Sequence, residues 1–128
     1  TAFLAHFAGE VYTVERIAEL SEGAKKVLDG LGFKNIHYRV GDGSYGWGTH
    51  APYDRIMVTC AVKSLPLDLI SQLKNNGKMV LPMGDSDHQV LTLIEKNEKG
   101  TLTITRAMRV RFVEMMGKYG FTKEYLNT

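Results

Sequence analysis

The chain has 128 residues, of which 44% are hydrophobic and 23% charged, as is typical of one globular domain. Its 16 basic and 14 acidic side chains leave a formal net charge of +2, too small to indicate binding to nucleic acid or to an anionic membrane. No apolar run approaches the roughly 20 residues that span a bilayer, and the first residues lack the features of a signal peptide. We therefore predict a single domain over residues 1–128, located in the cytoplasm, with no nucleic-acid or membrane partner.

The side chains that most often bind metals or form disulfides are few and scattered. Cys60 is the one cysteine, so a disulfide within the chain is not possible. It lies in an apolar run with no base nearby, and we expect a small buried side chain. No metal-ligand spacing is present, so we predict no metal site and expect the four histidines to be structural or solvated: His6, His37, His50 and His88.

Helical and strand patterns alternate over the first forty residues. Apolar residues surround the first segment, a β-branched run follows, and apolar side chains then recur at helical spacing. In that helical segment glutamates lie early and lysines late, an order that complements the helix dipole. The predicted elements are a helix over residues 1–8 ending at Gly9, a strand over 11–14, a helix over 17–31 ending at Gly30 and Gly32, and a strand over 36–40.

The rest of the chain changes from an α/β pattern to a hairpin. Near-continuous apolarity in one run predicts a strand covered on both faces, and two later runs alternate apolar and polar residues around a polar turn. The predicted elements are a loop over 44–52, a buried strand over 53–61, a helix from Pro66, a turn at Asn76-Gly77, a strand over 78–82, hairpin strands over 89–95 and 101–106 with 108–113 continuing the second, and a short helix or loop over 117–128. Strands that alternate with helices predict a mostly parallel sheet, to which the hairpin adds antiparallel strands.

Two strand ends carry residues that suit nucleotide binding. Glu15, followed by Arg16, comes directly after the first strand, where α/β domains bind ribose hydroxyls, because a carboxylate accepts two hydrogen bonds from a diol. Gly41, Asp42 and Gly43 follow the second strand, where the carboxylate could accept an exocyclic amine such as that of adenine. The alternatives are a first-turn helix glutamate and a plain Gly-Asp-Gly turn. The strand over 53–61 would end at the same ligand-binding edge, and the alternative is a central strand with no role in binding. Tyr45 and Trp47 would either cap the core or stack on a base.

Several blocks in one order carry a family resemblance. About residues 1–118 resemble the half of an S-adenosylmethionine-dependent methyltransferase that follows the glycine-rich loop, and within that group they are similar to the protein-L-isoaspartate O-methyltransferase family. The blocks are Val11-Tyr12-Thr13-Val14-Glu15-Arg16-Ile17, Gly41-Asp42-Gly43, Gly46-Trp47, Ala51-Pro52-Tyr53-Asp54, residues 73–84 and Val110-Arg111-Phe112-Val113.

The resemblance implies a protein-repair enzyme. Such enzymes transfer a methyl group from S-adenosylmethionine to the carboxylate of an isoaspartyl residue, so the implied partners are isoaspartyl-containing proteins or peptides. The residues implied in cofactor binding are Glu15, Arg16, Gly41, Asp42 and Gly43, and Val113 is implied in substrate binding. The implied fold is α/β, an incomplete Rossmann-like methyltransferase sheet that is mostly parallel with a C-terminal antiparallel hairpin.

The chain departs from the family pattern at two places. Family members have a further stretch before the position of Thr1, with the first strand, the glycine-rich loop and a Ser-containing segment implicated in catalysis; we therefore expect the catalytic residues upstream of Thr1. The family also usually has proline and leucine after the position of Val113, where this chain has Glu114 and Met115, which puts substrate contact in question. Without the loop we predict no useful affinity for S-adenosylmethionine in the isolated chain, and a catalytically inactive binding or structural domain is the alternative function.

The absent strand has a structural cost. In the family fold it lies between the strands that begin near Val11 and Tyr53, and each backbone group left buried and unpaired costs about 1–3 kcal/mol. Three resolutions are open: the two strands pair directly, a second copy covers the gap as a homo-oligomer or by a segment swap, or the missing part is supplied elsewhere.

Overall fold

The structure is a computed structural model that describes residues 1–121. It divides into two compact units, Thr1–Gly43 and Ser44–Thr128, and each is taken by itself below. The part of the predicted tail beyond residue 121 lies outside the described residues, and the single-domain organisation stays a prediction. Within the described residues, no helix is long and apolar enough to cross a membrane.

The first unit is a parallel strand pair with one crossover helix. Its elements are α1 (Ala2–Phe7), β1 (Val11–Glu15), α2 (Ala18–Gly30) and β2 (Ile36–Val40). The two strands pair in parallel from Val11↔Ile36 to Glu15↔Val40. The strand–helix–strand order predicted from the sequence is confirmed.

The two helices of this unit end differently. After α2 the amide of Gly32, at φ 87°, donates to Asp29 O at 3.0 Å and the amide of Phe33 donates to Leu28 O at 3.2 Å, the paired bonds of a Schellman cap. The predicted glycine stop of this helix is therefore confirmed. After α1, by contrast, the carbonyls of Ala5 and Ala8 accept the Asn35 side-chain amide at 2.8 and 3.0 Å.

The apolar stripe of α2 is only partly covered. Leu28 is 7% exposed, whereas Leu20, Val27 and Leu31 are 58%, 63% and 67% exposed. Helical periodicity correctly indicated an amphipathic helix, but it did not show which apolar side chains find a partner within the chain.

The second unit is a mixed four-stranded sheet with a short helix. Its strands are β3 (Tyr53–Met57), β4 (Leu73–Gly84), β5 (Gln89–Lys96) and β6 (Leu102–Val110), in the order β3-β4-β5-β6, and α3 is Leu67–Gln72. β3 and β4 are parallel, and β4-β5 and β5-β6 are antiparallel. Short 3-10 turns at Gly43–Tyr45 and Gly48–His50 occupy the loop predicted over 44–52. The mixed sheet with a closing antiparallel hairpin is therefore confirmed.

Two predictions in this unit need correction. The strand predicted over 53–61 as buried ends at Met57, and Asp54, Arg55 and Met57 are exposed, because β3 is the end strand of its sheet. The turn at Asn76-Gly77 lies inside the span of β4. Asn76 does take the left-handed backbone of a turn, at φ 65°, where the register with β3 is irregular, so the turn bulges out of a longer strand.

The hydrophobic core of the second unit lies between the sheet and the segments that cover it. β4 and β5 contribute Met79, Leu81 and Ile94, each fully buried, and α3 contributes Leu69 and Ile70. Cys60 packs against this cluster but is only half-buried, less than its apolar surroundings predicted.

Candidate functional site

The carboxyl ends of β1 and β2 bring the two predicted nucleotide-binding segments together. Glu15 is paired with Val40, the last residue of β2, and the amide of Gly41 donates to Glu15 O at 3.0 Å. Because the strands are parallel and in this register, the segment Gly41-Asp42-Gly43 begins directly beside the residue that ends β1. This adjacency is what the sequence argument required of the site.

Glu15 has one carboxylate oxygen engaged by its own chain. Its Oε1 accepts the backbone amide of Ile17, the N-cap residue of α2, at 2.9 Å. The bond places the half-buried carboxylate at the positive end of the helix dipole. The contact to Ile17 is the one expected of a glutamate at a helix start. It does not exclude ribose binding, because Oε2 can still accept a hydrogen bond.

The glycines of the second segment leave space beside Asp42. A Cβ on Gly43 would meet no atom within 4 Å, and a Cβ on Gly41 would approach no atom closer than Arg39 Nε at 4.0 Å. All three residues of the segment are half-buried, whereas Arg16, the remaining predicted cofactor residue, is exposed. This edge therefore carries the carboxylate residues Glu15 and Asp42, and the two glycines place no side chain beside Asp42.

The second unit holds the predicted substrate residue in a fixed segment. Val113 is 76% exposed, while its carbonyl accepts the amide of Ala61 at 2.7 Å and the amide of Met115 donates to Ala61 O at 2.8 Å. The buried Gln89 pairs with both backbone groups of Phe112: its Nε2 donates to the carbonyl at 2.9 Å and its Oε1 accepts the amide at 2.7 Å. Sequence reasoning missed Gln89, because nothing near it in sequence marks this contact.

Met115, which stands where the resemblance implies a leucine, is buried in the second unit. It is 5% exposed and belongs to the core cluster of the second unit. The departure from proline and leucine after Val113 therefore leaves this stretch anchored at its far end, and Val113 keeps its outward position.

A glutamine also fixes the loop around Trp47. Gln72 Nε2 donates to Tyr45 O at 2.8 Å, and its Oε1 accepts the Trp47 amide at 3.0 Å. The Tyr53 hydroxyl donates to Trp47 O. Tyr45 is 54% exposed and lies under Lys118 Nζ, 5.3 Å from the ring centroid, so its predicted role as a core cap is only partly met.

No group of His, Cys, Asp or Glu in residues 1–121 has the arrangement of a metal site. The histidines have other neighbours: His37 Nε2 lies 2.7 Å from Glu10 Oε2, and the His50 ring packs edge-on against Trp47. The polar groups at the ends of β1 and β2 are therefore carboxylates and backbone amides.

The family model of Protein-L-isoaspartate(D-aspartate) O-methyltransferase matches residues 1–120. The chain belongs to this family.

Curated members of the family are similar over almost the whole chain. The Protein-L-isoaspartate O-methyltransferase 2 of Geotalea uraniireducens is 43% identical over 123 residues, 96% of this chain and 57% of the relative. The Protein-L-isoaspartate O-methyltransferase of Dictyoglomus turgidum is 49% identical over 121 residues, 94% of this chain and 54% of the relative. The chain thus spans little more than half the length of these isoaspartyl methyltransferases.

Solved structures place the fold in the same group. A protein-L-isoaspartate O-methyltransferase matches with a TM-score of 0.78 and 32% identity over 87% of this chain and 35% of that one. A Plasmodium falciparum structure of this type, in complex with S-adenosyl-L-homocysteine, matches with a TM-score of 0.72 and 22% identity over 84% of this chain and 52% of that one. The predicted α/β, Rossmann-like methyltransferase sheet is therefore confirmed, as a partial version of the fold.

Proposed function

We propose that this chain provides the ribose and adenine side of the cofactor site, together with a substrate-side segment, of a protein-L-isoaspartate O-methyltransferase. The observation that carries the proposal is the pairing of Glu15 with Val40, which sets Glu15 beside Gly41-Asp42-Gly43 at one sheet edge in a chain of this family. The proposed reaction transfers the methyl group of S-adenosylmethionine to an isoaspartyl carboxylate in a damaged protein or peptide.

In the proposed site each carboxylate has a separate task. Glu15 keeps Oε1 on the Ile17 amide and uses Oε2 for a ribose hydroxyl. Asp42 accepts the adenine amine, and Gly41 and Gly43 let the ring approach the backbone. Arg16 is exposed beside Glu15 and is the least constrained member of the proposed set.

S-adenosylmethionine supplies an activated methyl group, so the protein has little acid–base work to do. The rate then depends mainly on aligning the methyl donor with the accepting carboxylate oxygen. In this proposal the stretch around Val113 lies along the substrate chain, since its backbone is fixed on Gln89 and Ala61 while its side chain faces outward. The acceptor carboxylate comes from the substrate itself.

A second candidate function is a catalytically inactive binding or structural domain. It is proposed for residues 1–128 taken by themselves, which contain no glycine-rich cofactor loop. For either function we propose a cytoplasmic location, which suits a chain whose single cysteine rules out a disulfide within the chain. A homo-oligomer or a segment swap that covers the position of the missing central strand stays part of the proposal.

A fusion protein separates the two functions. The N-terminal part of the Dictyoglomus turgidum relative, joined ahead of Thr1, restores the segments that this chain lacks. We expect the fusion to transfer label from methyl-labelled S-adenosylmethionine to an isoaspartyl peptide as a base-labile ester, and not to the matching aspartyl peptide. A folded fusion, verified by circular dichroism, that transfers no label would favour the inactive domain.

The variant that tests the ribose contact is Glu15→Gln in the same fusion. Glutamine keeps an oxygen acceptor for the Ile17 amide but loses the charge that we assign to the ribose contact. We expect the KM for S-adenosylmethionine to rise about 10- to 100-fold, as for loss of a charge-assisted hydrogen bond, with the KM for the peptide unchanged. An unchanged KM for S-adenosylmethionine would remove Glu15 from the site.

A further inference from the structure

The last strand of the four-stranded sheet has a free edge. β6 is at the end of the order β3-β4-β5-β6, so within residues 1–121 it pairs with β5 alone. Every residue from 103 to 109 is exposed. Backbone amides and carbonyls along such an edge can pair with an incoming extended chain.

The charge of this strand is one-sided. Residues 101–113 contain Arg106, Arg109 and Arg111 and no acidic residue. Three lysines of the same unit are paired with carboxylates: Lys74 with Asp54, Lys78 with Glu95 and Lys118 with Asp68. The three arginines, by contrast, form no ion pair and no side-chain hydrogen bond with any residue that the structure describes.

A bulge aligns two of these arginines. Arg106 is opposite Thr92 and Arg109 is opposite Val90, while the register shifts between them and leaves Ala107 without a partner. Residues three apart on a regular strand point to opposite faces. Residues directly opposite each other on paired strands project to the same face, and Val90 and Thr92, two residues apart, share one face of β5. Arg106 and Arg109 therefore share that face too, at a spacing of about 7 Å, which is two strand steps.

We propose that the free edge of β6 is a docking surface for an extended acidic segment of a partner protein. The segment would add as a strand to β6 and set carboxylates at alternate positions, which repeat at the same two-step spacing, against Arg106 and Arg109. The planar guanidinium group suits this contact because it can donate two parallel hydrogen bonds to one carboxylate. The proposal goes beyond methyl transfer and does not depend on it.

Other occupants fit the strand less well. A single-stranded nucleic acid would also meet the positive charge, but Phe112, beyond the end of β6, is the one aromatic residue in 101–113, so the strand offers no row of rings on which successive bases could stack. A second copy that paired through the same edge would place two basic strands side by side, with no acidic residue in 101–113 to offset their repulsion. An acidic extended peptide satisfies both the backbone groups and the charge.

The experiment compares two fluorescent peptides of identical composition, binding to the full chain. One carries aspartates alternating with threonines, and the other carries the same aspartates in a single block. We expect the alternating peptide to bind several-fold more tightly, and added salt to weaken it, since exposed charges are screened over about 10 Å at 0.1 M. The double variant Arg106→Glu/Arg109→Glu should weaken that binding by at least about fivefold.

The matched control changes the same charge elsewhere. Lys26→Glu/Lys34→Glu replaces two exposed basic residues outside β6. At about 0.1 M salt, which screens distant charges, this variant should keep its peptide affinity within about twofold of the wild type. Both variants are verified as folded by circular dichroism. Equal affinity for the two peptides, an equal loss in the two variants, or tighter binding of a single-stranded oligonucleotide than of the alternating peptide would each overturn the proposal.

Discussion

Asp85, in the turn between β4 and β5, has a pKa that is lowered by hydrogen bonds from backbone amides of its own turn. Its Oδ1 accepts the backbone amides of His88 at 2.8 Å and Asp87 at 2.9 Å. These bonds, that of His88 first, favour the ionised form and hold the Asp85 pKa below its usual value. A lowered folded-state pKa contributes stability that is present above the unfolded-state pKa and is lost as the pH falls through the folded-state value.

We therefore expect Asp85 to titrate below an aspartate in an unstructured peptide when its carboxyl carbon is followed by NMR. The variant Asp85→Asn should show a smaller loss of stability over the acid range between those two pKa values, as measured by denaturant midpoints. Titration of Asp85 at or above the peptide value would show that the turn does not stabilise the charge.

The residues that the sequence could and could not reveal differ in how local their role is. The positions of Glu15 at the end of β1 and of Asp42 after β2 were predictable, because a strand end is visible in the residue pattern. Gln72 and Gln89 were not, because their partners lie 25 and 23 residues away along the chain. A buried amide that pairs with distant backbone has no signature in its own neighbourhood.

The loop around Trp47 gives a test at the level of an element. Gly46 has φ 65°, and a Cβ there would overlap the Gln72 side chain and lie 2.9 Å from Leu69 Cδ2. Gly48 has an ordinary φ, and its Cβ would be 3.8 Å from Gln72 Nε2. The two glycines flank the same tryptophan but differ in backbone strain and in space.

We expect Gly46→Ala to lower the free energy of unfolding by about 1–3 kcal/mol, from the left-handed backbone and the displaced Gln72 clamp. Gly48→Ala, the matched control, should change it by less than about 0.5 kcal/mol. Urea unfolding followed by Trp47 fluorescence measures both. Equal effects of the two substitutions would show that Gln72 does not fix this loop.

Element identity was largely predictable, whereas burial was not. The helical run in Ala18–Gly30 and the alternation in β5 and β6 fix the element type through side-chain period alone. β3 was wrongly predicted to be buried because near-continuous apolarity suits a strand covered on both faces, whereas Asp54, Arg55 and Met57 are exposed in the structure. Periodicity shows which face of a helix or strand is apolar. Whether that face is buried depends on other segments that pack against it, and these are not visible in the residue pattern.

At the scale of the whole molecule, incomplete coverage is the common feature. The side chains of Phe3 and Phe7 on α1 are 75% and 74% exposed, and the stripe of α2 adds Leu20, Val27 and Leu31. The curated relatives are nearly twice as long as the matched region. In the proposed site, residues 1–128 supply the ribose and adenine side of the cofactor pocket.

The most direct test is a calorimetric titration of S-adenosylhomocysteine into the purified 128-residue chain. We propose that residues 1–128 supply contacts to the ribose and adenine of the cofactor but none to its amino-acid end, where two charge-assisted bonds at about 1.5–3 kcal/mol each would strengthen binding by roughly a hundredfold or more. We predict no micromolar binding by the chain and clear binding by the fusion with the Dictyoglomus turgidum segment. Micromolar binding by the chain alone would contradict the account.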